Sequence, residues 1–463
     1  MTLYNSRSVL AMSHGANVFE YGMFSKKSLR RIIIPLIIEQ ALMLSVGMFD
    51  TLMVSYAGES AVSGVSLVDS INTLLIFLLT ALATGGAIVA GQYLGSKNLE
   101  KSNQAGEQLI ISSLGISVIF SVICLIFNQQ LLSLFFGNID ATVMSNARTY
   151  FYITAISFPF VAVYSSASAL FRAMGNTKNA MVNSFVMNII NIVGNALFIY
   201  MIHLGAFGVG LSTLLSRVIA TITIMIMLRN QNLSITIRSY KFWDIDLKMI
   251  KSIFKISIPA SLENSVFQIG RIILTSLIAM FGTSAITANA VTGSLLNVAT
   301  IPGQALGLAM TTVVAQCVGA KEFEQAVKYS KHLLKSSWLY MFLFNFGIFI
   351  LLKPILSLYN LSEETFSLSL IVMIMHIAGW ITVWPMSFTL PNTFRAAGDV
   401  KYPMFISAIS MVVFRIGFSY ILAYGLGIGV LSVWIAMLMD WTFRCICFYW
   451  RWKSNKWKQY AVV

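Results

Sequence analysis

Two carboxylates, Glu39 and Asp50, stand in an otherwise apolar stretch, residues 32–58, that has the length of a membrane-spanning helix. A bilayer core takes about 20 apolar residues per helical span. A charge placed there costs about 2.5 kcal/mol or more on insertion scales, so it faces a cavity or a partner. The two acids are eleven residues apart. At about 100° per residue they fall within roughly 20° of each other on one helix face, about 16 Å apart along the axis. A face carrying two acids across a membrane can hold a cation or pass a proton. A second polar set follows in residues 181–202, where Ser184, Asn188, Asn191 and Asn195 are spaced 4, 3 and 4 on a single helical stripe. Amide oxygens and a carboxylate are the hard oxygen ligands that a small cation takes. Asp50, Asn188, Asn191 and Asn195 are therefore the candidate ion-coupling residues, with Asp50 the candidate Na⁺ ligand. The competing reading is helix-to-helix hydrogen bonding, a common use of asparagine in membranes.

The elements that must position these groups are membrane helices. The chain has 463 residues, 57% apolar and 10% charged, with a mean hydropathy of +0.79. That composition excludes a soluble globular protein and defines an all-α polytopic membrane protein. Hydropathy predicts twelve transmembrane helices: 32–56, 67–91, 109–127, 150–171, 181–202, 209–228, 253–281, 291–318, 334–352, 368–391, 404–426 and 429–449. No basic segment followed by a short apolar one marks a cleaved leader in the first 25 residues, so the first span is expected to insert the chain.

The net charge of +14 could point to nucleic acid, but its placement does not. Of 31 Lys and Arg, 25 fall at the termini and at or in alternate loops, six of them at or between the facing ends of spans 6 and 7. This is the positive-inside pattern, which predicts a multi-pass protein of the cell membrane with both termini cytoplasmic. The basic charge then serves topology and contact with anionic membrane lipid. No nucleic-acid partner is expected. The four cysteines, Cys124, Cys317, Cys445 and Cys447, sit in or beside spans and form neither a disulfide framework nor a zinc set.

The chain repeats itself. At an offset of 224, Pro35 aligns with Pro259, Glu39 with Glu263, Thr51 with Thr275, Gly58 with Gly282, Gln92 with Gln316, Gly95 with Gly319 and Lys97 with Lys321. At an offset of 223, FRAMGNTK (171–178) aligns with FRAAGDVK (394–401). The expected organisation is a cytoplasmic segment 1–31, an N-lobe 32–228, a cytoplasmic linker 229–251, a C-lobe 252–450 and a cytoplasmic tail 451–463. Six spans per lobe is an even number, so the lobes enter the membrane in the same direction. Such a parallel repeat in transporters places the substrate between the halves.

These residues carry a family resemblance. The PxxxE start of spans 1 and 7, FDTLMVSYAG at the end of span 1, GQYLG after span 2 and the duplicated FRAxGxxK resemble the MATE (multidrug and toxic compound extrusion) family, over nearly the whole chain. The resemblance implies two six-helix lobes, alternating access, and export of small organic, often cationic compounds in antiport with Na⁺ or H⁺, with no other cofactor. It also implies that Asp50, which matches the family's first-span aspartate, couples the ion. A monomer is expected to suffice.

The repeat sorts the remaining candidates. Asp50 has no twin, since Leu274 stands at its place. The span 5 stripe becomes Ser407, Met411, Phe414 and Phe418 in span 11. The lobes are thus expected to divide the work: the first binds the ion, and the second offers an aromatic and methionine wall to substrate. Glu39 and Glu263 are repeat mates and carry two readings. They either attract a cationic substrate from a shared cavity, or they are architectural, each following its proline by four residues. Arg217, Arg271 and Arg415 need partners or water within their spans. Arg271 in a substrate cavity would favour an anionic or lipid-phosphate compound. Asp440 and Arg444, spaced i, i+4, are expected to pair. Asp69, near the outer end of span 2, is expected to be solvated. His376 is read as packed, or as a proton relay. The alternative function is a flippase for lipid or lipid-linked oligosaccharide in the same wider superfamily. An enzyme is not expected, because no HExxH is present and the four histidines are scattered.

Overall fold

The computed structural model describes residues 22–137, 139–237 and 245–463, apart from the side chain of Thr51. Residues 1–21 and 238–244, parts of the expected N-terminal segment and linker, lie outside it. Among the described residues the regular structure is helical, without a strand. The longer helices are α1 Lys26–Val54, α2 Glu59–Gly95, α3 Leu99–Ile126, α4 Ala141–Ala173, α5 Thr177–Met201 and α6 Gly205–Leu228. The second set is α7 Leu247–Ala279, α8 Thr283–Ala299, α9 Ile301–Gly319, α10 Phe323–Ser357, α11 Glu363–Thr382, α12 Lys401–Gly425 and α13 Ser432–Lys453.

Eleven helices among the described residues are long and apolar enough to cross a membrane. The expected seventh span, α7, is long enough at 33 residues, but Glu263, Asn264, Gln268 and Arg271 make it less apolar than the rest. It is the repeat mate of α1. The expected eighth span is two helices meeting at Thr300. Its mate α2 runs unbroken for 37 residues. Pro302 stands where α2 has Leu78; a proline ring removes one ladder bond and collides with the preceding turn. The turns between spans also repeat. Gly58 and Gly282 adopt φ of +98° and +94°, and the glycines of FRAxGxxK, Gly175 and Gly398, adopt +75° and +89°. A Cβ disfavours that conformation, which gives the duplicated glycines their physical reason.

The chain forms two compact units, Ile38–Ser261 and Leu262–Val463 with the described residues up to Ile37. Both divisions fall inside a helix, two residues beyond Pro35 in α1 and two beyond Pro259 in α7. In the N-terminal unit, Gly64 of α2 lets the backbones of α2 and α4 touch: a Cβ there would lie 2.8 Å from the Ala147 amide nitrogen. Val65, Val68, Phe151, Phe158 and Val209 pack around that contact. The other unit has an indole-rich core in which Trp380, Trp384, Trp434 and Trp441 pack with Met341 and Met373. Gly303 and Gly379 leave room for the rings of Trp384 and Trp441.

Candidate functional site

In the N-terminal unit, α1, α5 and α6 bring together the stripe that the spacing predicts. Asp50 is buried, as are Ser184, Asn188, Asn191 and Asn195. The Asn195 amide donates to Asp50 Oδ1 at 2.5 Å and lies 3.4 Å from Asn191 Oδ1. The Asn191 amide reaches Thr213 Oγ1 of α6 at 3.4 Å, and Ser212 donates to the Asn191 carbonyl at 2.6 Å. Gly194 admits Ser212 against α5, since a Cβ there would lie 2.5 Å from its hydroxyl. Asn188 bonds back to the Ser184 carbonyl at 2.9 Å, and Ser184 shares a hydrogen bond with the Tyr164 hydroxyl at 2.7 Å. The amide oxygens of Asn188 and Asn195 are buried with no hydrogen-bond partner among the described residues. A buried acceptor without a donor is costly, and a cation would satisfy it. Asp50, Asn191, Asn195 and Thr213 form an oxygen set of the kind a small hard cation takes.

The sequence reading missed the wider surroundings. Thr213 was not singled out. Asp69 is hydrogen-bonded rather than merely solvated: Tyr150 donates to it at 3.0 Å and Asn72 lies 3.4 Å away. Arg217 donates to Ser157 at 2.6 Å and lies within electrostatic reach of both Asp50 and Asp69.

Glu39 and Glu263 are buried in matching ion pairs, each within one unit. Arg172 Nη1 lies 2.8 Å from Glu39 Oε1. Arg395 Nη2 contacts both oxygens of Glu263, at 2.7 and 2.8 Å, and Ser407 donates to the same carboxylate at 2.7 Å. These arginines belong to the duplicated FRAxGxxK. The two motifs are thus the two ends of one structural device, built once per unit. Arg172 and Arg395, at span ends where the positive-inside pattern places basic charge, are each the partner of a buried acid. Each acid is thus partnered by an arginine rather than by the backbone that its proline frees.

The equivalent region of the C-terminal unit is chemically unlike the asparagine stripe. Met411 is buried against α7, where a Cβ on Gly270 would lie 2.3 Å from its methyl carbon; it is packing rather than an open wall. Phe414 stacks on Phe418 at 5.5 Å and on Phe443 at 4.4 Å between ring centroids. Asp440 and Arg444 pair as expected, at 2.9 Å, and the set is larger than the pair. Ser410 donates to Asp440, and Arg415 Nη1 approaches its other oxygen at 3.5 Å. The Arg444 guanidinium also lies over the Phe267 ring at 4.2 Å. His376 is buried, with Nδ1 2.9 Å from the Val372 carbonyl and its ring against Trp380 and Trp441, as the packed reading expects. Arg271 is exposed on α7. Asn264, Gln268, Arg271 and Thr275 repeat the 4, 3, 4 spacing of the span 5 stripe, a signal the sequence reading passed over.

A two-unit helical bundle with a parallel internal repeat and polar groups buried in its spans defines a membrane transporter. The MatE family pattern matches residues 35–197 and again residues 259–421, starting at the two repeated prolines. The chain belongs to the MATE family. It is 27% identical over 438 residues to the uncharacterized transporter YisQ of Bacillus subtilis, covering 93% of this chain and 94% of that protein. It is 23% identical to the probable multidrug resistance protein NorM of Thermotoga maritima, over 95% and 94% of the two chains. A MATE crystal structure in the bent conformation superposes with a TM-score of 0.86 at 19% identity, covering 94% and 96%. An outward-facing multidrug resistance MATE transporter also superposes at 0.86, covering 93% and 96%.

Proposed function

We propose that this protein is a cation-coupled exporter of organic compounds, working by alternating access in the cell membrane with both termini cytoplasmic. Na⁺ or H⁺ would bind at Asp50, with Asn191, Asn195 and Thr213 completing the site for Na⁺. The observation that carries the reading is the buried Asp50–Asn195 contact beside two amide oxygens that lack donors among the described residues. A bound ion can shift a two-state equilibrium only by its differential affinity for the two states. In this mechanism the outward-facing arrangement closes the oxygen set around the ion, and that energy drives substrate release outside. The Asp50 carboxylate supplies the charge, and Asn195 and Asn191 orient it. The second unit presents the surface on which substrate rests.

The test is export by the full chain in proteoliposomes under separately imposed Na⁺ and pH gradients. Wild type should export in response to one of the two, and Asp50→Asn should lose that response while retaining a normal thermal unfolding profile. Gradient-driven export that survives Asp50→Asn unchanged would overturn the coupling role.

A further inference from the structure

The charge of the C-terminal unit points away from a cationic substrate. Two arginines and the carboxylate Asp440, which pairs with a third arginine, Arg444, lie at similar depth on helices in contact with one another. Arg271 stands eight residues before the end of α7, and Arg415 ten residues before the end of α12. Asp440, which holds Arg444, stands eight residues after the start of α13. At a rise of about 1.5 Å per residue, each lies about 12–15 Å from the same end of the bundle. Gly270 brings α7 against Met411 of α12, so Arg271 and Arg415 sit on adjoining turns. Asp440 is the one carboxylate that ion-pairs with any of the three among the described residues.

Two of the three guanidiniums are incompletely engaged. Arg444 is filled by Asp440, Ser407, Ser410 and the Phe267 ring. Arg415 has one long ion pair at 3.5 Å, and its Nε is buried without a hydrogen-bond partner among the described residues. Arg271 makes no ion pair among them; its guanidinium lies 3.5 Å from Gln268 Oε1. A lipid-facing arginine in mid-span is costly, and intramembrane charge accordingly faces protein or a water-filled cavity. The helix around it agrees, because Asn264, Gln268, Arg271 and Thr275 make one polar stripe.

On the same turns of α12 as Arg415 lies an aromatic stack, Phe414 between Phe418 and Phe443. Guanidinium groups recognise carboxylate and phosphate through paired hydrogen bonds, and stacked rings accept a planar apolar body. We infer that the face formed by Arg271, Arg415 and Phe418, the outer ring of that stack, binds an amphipathic organic anion, a compound with a carboxylate or phosphate head and an aromatic or acyl body. This deepens the transporter reading and rests on it for the word substrate, but the binding site stands on its own geometry.

The test uses the full chain, purified in detergent, and fluorescence anisotropy of three probes. They are carboxyfluorescein as a planar anion, ethidium as a planar cation, and a short-chain fluorescent phosphatidic acid as a lipid anion. Wild type is expected to bind one of the two anions at least tenfold more tightly than ethidium; which one identifies a free organic anion or a lipid as the source. Arg271→Gln should weaken that anion about 10- to 100-fold, the loss of one charge-assisted hydrogen bond. Arg271→Glu should bring ethidium affinity up. Arg271 is exposed, so both variants should fold, and an unchanged thermal unfolding profile checks this. Preference for ethidium in the wild type, no binding of either anion, or an affinity for the anion unaltered by Arg271→Gln would overturn the proposal. Asp50→Asn separates the two ideas: it should abolish gradient-driven export while leaving anion binding intact. Anion binding without any ion-driven transport would sink the coupling role and leave this site standing.

Discussion

The two units share one scaffold and differ in the polar chemistry mounted on it. Each begins with a PxxxE helix whose glutamate pairs with the arginine of a later FRAxGxxK. Each closes its first turn with a glycine at positive φ. At the places that do not repeat, the signs reverse. The N-terminal unit has Asp50 where the other has Leu274, and it has Asn191 and Asn195 where the other has Phe414 and Phe418. The C-terminal unit has Arg271 where the first has Gly47, and Arg415 where the first has Ile192. One surface is acidic and amide-lined, the other basic and aromatic. A duplicated fold thus separates what recurs, ion pairs that join helices, from what differs, the polar and aromatic groups of which the proposed sites are made.

The largest effect should come from the shared device. Removing one member of a buried ion pair leaves an uncompensated charge, at about 3–5 kcal/mol. Arg395→Leu strands Glu263, and Arg172→Leu strands Glu39; each should sharply reduce the yield of folded protein and lower its unfolding temperature. Replacing both partners by apolar residues of similar volume should recover most of the loss. Activity that is lost in the double variant despite restored folding would show that the pair does more than hold helices, and would break the division between recurring and unique positions.

Next in size is a change on the acidic surface. Asn195→Leu removes the amide that orients Asp50 at 2.5 Å. It should raise the half-saturating concentration of the coupling ion by about tenfold, near 1.4 kcal/mol. Asn191→Leu, one turn away and linked at 3.4 Å to Asn195 and to Thr213, should do the same to a smaller degree. An unchanged ion dependence in both would return the stripe to helix packing. A third comparison concerns backbone contact. Gly64→Ala sets a Cβ 2.8 Å from the backbone of α4. Gly270→Ala meets the flexible end of Met411. Overpacking costs typically about 1–3 kcal/mol, and the first variant should be the more destabilised in thermal melts, since backbone cannot swing aside.

The spans, the repeat and the asparagine stripe were legible in the sequence because each is a pattern along the chain. Apolar runs give the helices, and a 4, 3, 4 spacing gives a face. The partners of Glu39 and Glu263 were not legible, although both arginines sat in a motif already noticed. Pairing across more than 130 residues has no period, and loop position made charge bias the nearer explanation for Arg172 and Arg395. The break at Thr300 had a signal in Pro302, but a single long apolar run masked it. Asp69 looked solvated because nothing local predicts Tyr150 as its donor. The polar stripe of α7 was readable by the same spacing rule that found the stripe of α5. Arg271 taken singly hides that stripe; only together with Asn264, Gln268 and Thr275 does it mark a face.

The smallest predicted effect is the one that most directly tests whether the surfaces are independent. Phe418 stacks on Phe414 almost parallel, at an interplanar angle of 5°. Phe418→Leu keeps the apolar character and removes the stack, a loss of about 0.5–1.5 kcal/mol. Stability should fall by no more than that, and the half-saturating ion concentration should not move, because Phe418 has no part in the oxygen set around Asp50. Affinity for the bound organic compound should weaken by a few-fold, since the aromatic stack on the turns of Arg415 loses one of its rings. Phe418 occupies the position of Asn195 in the repeat. The two substitutions therefore probe one place on the scaffold in its two chemical versions. If Phe418→Leu shifted the ion dependence as Asn195→Leu does, position rather than chemistry would set the coupling, and the division of labour between the units would fail.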